Sequence, residues 1–261
     1  MLELLHFRYS PYNEKVRWAL DLKRVPHTRT PLLPGPHLPR VRKLTGSDSF
    51  TPLLVRDAAE GGPLNGSAAI LDWLEARYPT PALLPADEAE AARARDIQRR
   101  FDDDIGLRGR RAALAALLAS PAYFATVFGA GHGRLARAAY TLTVPLAAPL
   151  VRKGNGITGA AAIADGHAAF VEGLDYVARE AAATGYLVGR GFTVADLTAA
   201  SMLAMCVDPP DSPMARPRPM PQSFASLLER YATHPGADWV RGIYARHRHA
   251  RADFNGPSTH P

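Results

Sequence analysis

Ser10, Pro11 and Tyr12 occupy a turn with the makings of a reactive site. The largely apolar run Leu2-Glu3-Leu4-Leu5-His6-Phe7-Arg8 before them reads as a short buried strand, and Val16, Ala19 and Leu20 after them recur at helical spacing. Ser before Pro marks a helix start. A hydroxyl at such a strand-to-helix turn lies where backbone N–H groups point outward and the helix dipole favours an anion, a place to bind and activate a nucleophile. The plainer reading is that Ser10 only caps the helix. The types and spacing alone leave both open. Ser67 opens a later helix that carries Ile70, Leu71 and Leu74, so its hydroxyl and the neighbouring N–H groups suit a carboxylate.

Other reactive residue types point to less. Asp102, Asp103 and Asp104 are consecutive on a helical pattern and diverge around its axis, which argues against a metal site; Asp104 and Arg108 stand at salt-bridge spacing. Cys206, the one cysteine, excludes an internal disulfide and a Cys-x-x-Cys pair, and follows an Ala- and Met-rich helix as a core residue would. The net charge is +6, and 27 of the 31 basic residues are arginines interspersed with acids. No nucleic-acid motif accompanies that charge. The run from Leu135 to Val151 is interrupted by Arg137, Pro145 and Pro149, so it does not read as a membrane span, and Met1-Leu2-Glu3 lacks the basic start of a signal peptide. The expected chain is cytoplasmic, without nucleic acid, membrane or metal.

The elements that position these residues fall into two regimes. Residues 1–79 read β-α-β-α-β-β-α: strands at 2–8, 26–33, 50–55 and 63–64, helices after Ser10, Leu38 and Ser67, and a turn at Ser47-Asp48-Ser49. Residues 80–86 form a proline-marked linker. From 87 to 249 the pattern is helical: one helix over 87–118, a helical region over 121–152 with breaks, and helices over 158–183, 193–207, 222–232 and 236–249. Asp208 to Pro221 holds six prolines in 14 residues, too many for a helix. Residues 250–261 read as a mobile tail.

This order, and four local motifs, resemble the cytosolic glutathione S-transferase superfamily, best its bacterial members of serine and omega-like type. Ser10-Pro11-Tyr12 with Lys15-Val16-Arg17-Trp18 resembles the nucleophile turn and first helix. Thr51-Pro52-Leu53-Leu54 resembles the segment with the cis-proline, and Asn65-Gly66-Ser67-Ala68-Ala69-Ile70 the γ-glutamyl motif. Thr193-Val194-Ala195-Asp196 resembles the capping motif of the helical domain. The resemblance implies an α+β fold, a thioredoxin-like domain followed by an all-α domain. It implies glutathione as cosubstrate and no metal. Ser10 would stabilise the thiolate, with Tyr9 in reserve. Tyr12, Thr51, Pro52, Gly66 and Ser67 would bind the peptide, and a small apolar electrophile would lie against Phe101, Asp104, Arg108 and Arg111. A homodimer is expected. Arg40 and Lys43 are candidates for the glycyl carboxylate. Gly66 stands where the family usually has an acid that meets the ligand's ammonium, and a glycine makes no charge-assisted contact. A ligand- or protein-binding member without catalysis is the alternative.

Overall fold

The computed structural model describes residues 1–46 and 50–254; the turn read at Ser47–Ser49 and positions 255–261 of the tail lie outside the described residues. The first domain contains β1 (Leu2–His6), α1 (Pro11–Leu22), β2 (His27–Pro31), α2 (Leu38–Thr45), β3 (Leu53–Val55), β4 (Leu64–Asn65) and α3 (Ser67–Arg77). The sheet order is β2-β1-β3-β4, with β1 parallel to β2 and antiparallel to β3, and β4 antiparallel to β3. Side chains alternate between its faces. Leu4 and Leu54 join the large core with α1 and α3, while Leu5 and Leu53 meet Val41 of α2.

The regular elements among the described residues after α3 are all helical: α4 (Glu88–Arg100), α5 (Gly106–Leu118), α6 (Pro121–Gly129), α7 (Arg134–Gly154), α8 (Ala160–Glu180), α9 (Val194–Val207), α10 (Gln222–Glu229) and α11 (Pro235–His247). A mixed four-stranded sheet ahead of an all-helical unit is the expected α+β architecture. The helix expected over 87–118 is divided by a wide π-turn at Phe101–Ile105. Tyr12 Oη donates to the Asp102 carbonyl of that turn at 2.6 Å. Gly106 follows because a Cβ there would come within 2.6 Å of the Phe101 carbonyl and 2.8 Å of Met202 Sδ. On the surface, α7 exposes Leu135, Leu142, Leu146 and Leu150. Among the described residues no single helix is long and apolar enough to cross a membrane.

α1 lies between the sheet and the helical domain, packed on α3 and α9. It is buried almost all round although it carries Glu14, Lys15, Arg17 and Asp21. Each of these charges has a partner: Lys15 Nζ meets Asp102 at 2.5 Å, Arg17 meets Glu14 at 2.7 Å, and Arg29 meets Asp21 at 2.6 Å. Arg248, beyond α11, reaches both Glu14 and Asp21. The mobile tail expected from residue 250 is corrected for its first part. Ala252 N donates to Asp21 Oδ1 at 2.9 Å, Phe254 N donates to the His27 carbonyl at 3.0 Å, and Asp253 bridges His27. The open edge of β2 offers unpaired backbone groups, and residues 252–254 cover it.

α9 is the buried centre of the helical domain. Its start is held by a capping box in which Asp196 accepts from Thr193 N and Thr193 Oγ1, both at 2.9 Å, and also from Leu187 N at 2.8 Å. Asp196→Ala strands these donors and is expected to lower the unfolding free energy by about 3 kcal/mol in urea titrations. Burial pushes the Asp196 carboxyl from 3.8 up to about 6. The group therefore contributes most below its unfolded value and loses that contribution as pH rises through 6. Asp196→Asn keeps one acceptor and does not titrate. Its stability relative to wild type should improve from pH 4 to pH 7, the opposite of the trend for a capping carboxylate held in its charged form.

Candidate functional site

The site begins at the turn after β1. Ser10 has extended backbone, φ −106° and ψ 128°, and Pro11 supplies the first helical residue, but the Ser10 side chain makes no capping hydrogen bond. Arg17 braces the preceding chain by donating to the carbonyls of Phe7 at 3.1 Å and Arg8 at 2.9 Å. Asn13, in the first turn of α1, accepts from Phe7 N at 3.2 Å and donates through Nδ2 to Thr51 Oγ1 at 3.2 Å. It thereby ties the Ser10 turn to the segment before β3.

The Thr51–Pro52 peptide is cis. Neither the N–H nor the C=O of Thr51 is paired with another backbone group among the described residues. The Pro52 carbonyl instead accepts from Gly66 N at 3.1 Å, which brings the start of α3 against this segment. Gly66 has φ +93° and ψ 135°, a conformation that glycine enters without strain, and a Cβ there would have open space. Ser67, buried, is the first residue of α3. The segments around Ser10, Thr51-Pro52 and Gly66-Ser67 are thus joined by two hydrogen bonds, one through Asn13 and one through Gly66.

A cleft of about 220 Å³ opens between the domains, with Ser10, Tyr12 and Thr51 on one side and α5, α6 and the end of α7 on the other. Ser67 and Gly66 lie outside its lining. The helical wall is mostly apolar, with Ala113, Leu114, Leu117, Phe124 and Phe128; Arg110, Asn155 and Arg216 are its polar members. Tyr12 presents its ring to the cleft while its hydroxyl is spent on the Asp102 carbonyl. Tyr9 packs edge-on to Phe128 with centroids 6.3 Å apart, and burial raises its phenol above the ordinary value, so it stays neutral.

The expected wall of Phe101, Asp104, Arg108 and Arg111 does not line this cleft. Phe101 is fully buried beside Tyr176. Arg108 bonds Asp104, Asp165 and Glu172, and Arg111 bonds Asp165, so this face of the helix meets α8. Arg40 is engaged by Glu3 at 3.0 Å. Two residues escaped the sequence reading. Asn13 gave no signal, because its partner Thr51 is 38 positions away. Arg110 did give one: it heads the apolar stripe Ala113, Leu114 and Leu117 at spacings of three, four and seven. Cys206 is buried, its thiol raised by desolvation, and belongs to the core.

Residues 4–82 match the family model described as glutathione S-transferase, N-terminal domain. A maleylpyruvate isomerase from a Ralstonia species is 37% identical over 98 residues, which are 37% of this chain and 45% of that protein. The match thus spans less than half the length of that curated relative. Among solved structures, a glutathione S-transferase from Rhodospirillum rubrum F11 superposes with a TM-score of 0.61 at 21% identity, covering 95% of this chain and 90% of the other. A glutathione S-transferase from Methylobacillus flagellatus KT with glutathione bound gives 0.60 at 16% identity, covering 94% and 98%. These likenesses extend the shared fold through the helical domain. Residues 4–82 thus resemble the N-terminal domain of glutathione S-transferases, and the chain as a whole shares the fold of these solved structures.

Proposed function

We propose that this protein is a glutathione-dependent enzyme that adds the tripeptide's thiolate to a small electrophile held in the interdomain cleft. The observation that carries this reading is the Ser10 hydroxyl, which makes no hydrogen bond among the described residues, is absent from the capping bond its position invites, and lines the cleft beside Thr51. In the proposed complex the Ser10 O–H donates to the sulfur and favours its anionic form. The free backbone groups of Thr51, before cis Pro52, pair with the cysteinyl residue as an added strand. Ser67 and the N-terminus of α3 take the γ-glutamyl carboxylate, next to Gly66. The ring of Tyr12 walls the sulfur.

The thiolate electron pair then forms a C–S bond with the electrophilic carbon. In a displacement, the bond to the leaving group breaks and its electrons depart with that group. On a conjugated double bond the electrons move to the activating carbonyl; rotation and collapse of that enolate expel the thiolate and return an isomerised alkene. The relative named as an isomerase supports this second outcome.

Titration calorimetry with reduced glutathione, followed by turnover of 1-chloro-2,4-dinitrobenzene, tests the reading. Binding and turnover are expected. Absence of binding at millimolar glutathione would reject it, and binding without turnover would make the protein a carrier on this fold. Gly66→Glu restores an acid for the ligand's ammonium. It is expected to tighten glutathione by up to about tenfold while lowering stability by about 1–2 kcal/mol, since a side chain is forced to positive φ. Calorimetry and urea unfolding of the same variant read the two effects separately. The same reading carries a cytoplasmic homodimer, which light scattering of the purified protein checks for its oligomeric state.

A further inference from the structure

Among the described residues, Arg110 forms no salt bridge, and its Nε is buried without a hydrogen-bond partner. Its guanidinium lies 6.0 Å from the centroid of the Tyr12 ring, inside the cleft that holds Ser10. Its neighbours on the same helix are different: Arg108 and Arg111 are both satisfied by acids of α4–α5 and α8. The other arginine of the cleft, Arg216, is neutralised by Asp208 at 2.9 Å. Among the described residues no carboxylate lines the cleft. A half-buried cation without a counter-ion is costly unless something else supplies the charge. Desolvation weakens its hold on the proton, as expected for a positive group facing an apolar space.

We propose that Arg110 is the anchor for a carboxylate on the second substrate, so that the cleft selects acidic electrophiles over neutral ones of the same shape. This rests on the function proposed above and names its substrate class. The planar fork of the guanidinium suits a carboxylate. Leu114, Leu117, Phe124 and Phe128 take the apolar body, and Asn155 offers a second polar contact on the same wall. The electrophilic carbon then lies between the Arg110 end of the cleft and the Ser10 turn. The substrate class is an apolar carboxylic acid with an activated double bond or a displaceable group within a few carbons of the acid.

The test uses matched probes in the full-length protein. 3,5-Dinitrobenzoate and its methyl ester, which do not react, report binding by calorimetry; 4-chloro-3,5-dinitrobenzoate and its methyl ester report turnover with glutathione, each corrected for its uncatalysed rate. The wild type is expected to bind the acid at least tenfold more tightly than the ester. Arg110→Gln should lower the acid-to-ester ratio of affinities by about 10- to 100-fold, the value of one charge-assisted pair, and Arg110→Lys should restore part of it. Equal binding of acid and ester by the wild type, or an unchanged ratio in Arg110→Gln, would overturn the proposal. If instead Arg110→Gln weakens glutathione itself with no change in that ratio, the carboxylate belongs to the tripeptide and the proposal fails. Because the unreactive probes are read without turnover, an inactive protein would defeat the functional proposal while still deciding the role of Arg110.

Discussion

Arg248→Met is expected to lower the unfolding free energy by about 3–5 kcal/mol, measured by urea unfolding at pH 7. The guanidinium of Arg248 is buried, with Nε 2.7 Å from Glu14 Oε1 and Nη1 2.9 Å from Asp21 Oδ2, and it lies 5.7 Å from the Trp18 ring. Its removal strands two buried carboxylates on α1, each left with one arginine: Arg17 for Glu14 and Arg29 for Asp21. Burial alone would raise both carboxyls, but Arg248 together with Arg17 or Arg29 outweighs it and holds them below their ordinary values of 4.5 and 3.8. Carboxyls lowered in this way contribute stability that is complete above those values and lost as pH falls through the folded ones. The gap between wild type and Arg248→Met should therefore be full at pH 7 and shrink below about pH 4 as both acids take protons. Adding Glu14→Gln to the methionine variant should recover part of the loss, because most of the cost is the uncompensated charge and not the missing contact. A loss below about 1 kcal/mol at pH 7 would mean that the network is open to water. The variant should also expose residues 250–254 to protease, since Asp21, which accepts from Ala252, is part of the same network.

Much of this architecture can be read from local sequence signals, because the devices that set it are local. Ser10-Pro11 marks the start of α1, Ser67 the start of α3, and Thr193 with Asp196 three residues on gives the capping box of α9. Proline clusters separate the two domains and break the chain before α10. What sequence does not reveal depends on partners distant in the chain. The acids and bases of α1 look like a solvent face, and only Asp102 and Arg248, 87 and 234 positions from Lys15 and Glu14, make them a buried one. The cleft wall was misassigned for a geometric reason. Phe101, Asp104, Arg108 and Arg111 share one stripe of an uninterrupted α-helix, but the π-turn at Phe101–Ile105 shifts the phase by about one residue. The face that meets Ser10 is then the one headed by Arg110, and the expected stripe turns to α8. The π-turn in turn exists where Tyr12 takes the Asp102 carbonyl and Gly106 lets Met202 approach, contacts that no window of the helix contains. The departure at Gly66, legible in the sequence, also has a backbone side: the chain passes Gly66 at φ +93°, where glycine costs least.

Ser10→Ala is expected to lower kcat/KM for glutathione and 1-chloro-2,4-dinitrobenzene by about 10- to 100-fold at pH 7, the value of one hydrogen bond to a charged acceptor. A free thiol of this kind ionises near pH 8.5–9, so only about one to three parts in a hundred are thiolate at neutral pH. A hydrogen bond donated to the sulfur favours the anion and moves that ionisation down by about 1–2 units. Loss of the hydroxyl reverses the shift. The pH–rate profile of Ser10→Ala should therefore rise about 1–2 units later than that of the wild type, and the two rates should converge above about pH 9, where the thiol ionises unaided. Because Ser10 makes no capping bond, the same substitution should change stability by no more than about 0.5 kcal/mol, which separates loss of chemistry from loss of fold. The nearest alternative donors are constrained: the Tyr12 hydroxyl is already given to Asp102, and the Tyr9 phenol is buried against Phe128. Ser10→Cys offers a complementary gain. A thiolate at this turn can attack a glutathione disulfide, forming a mixed disulfide and expelling glutathione thiolate, a reaction closed to a hydroxyl. An unchanged rate and an unshifted profile in Ser10→Ala would transfer the role to Tyr9 and remove the central assignment of the proposed site.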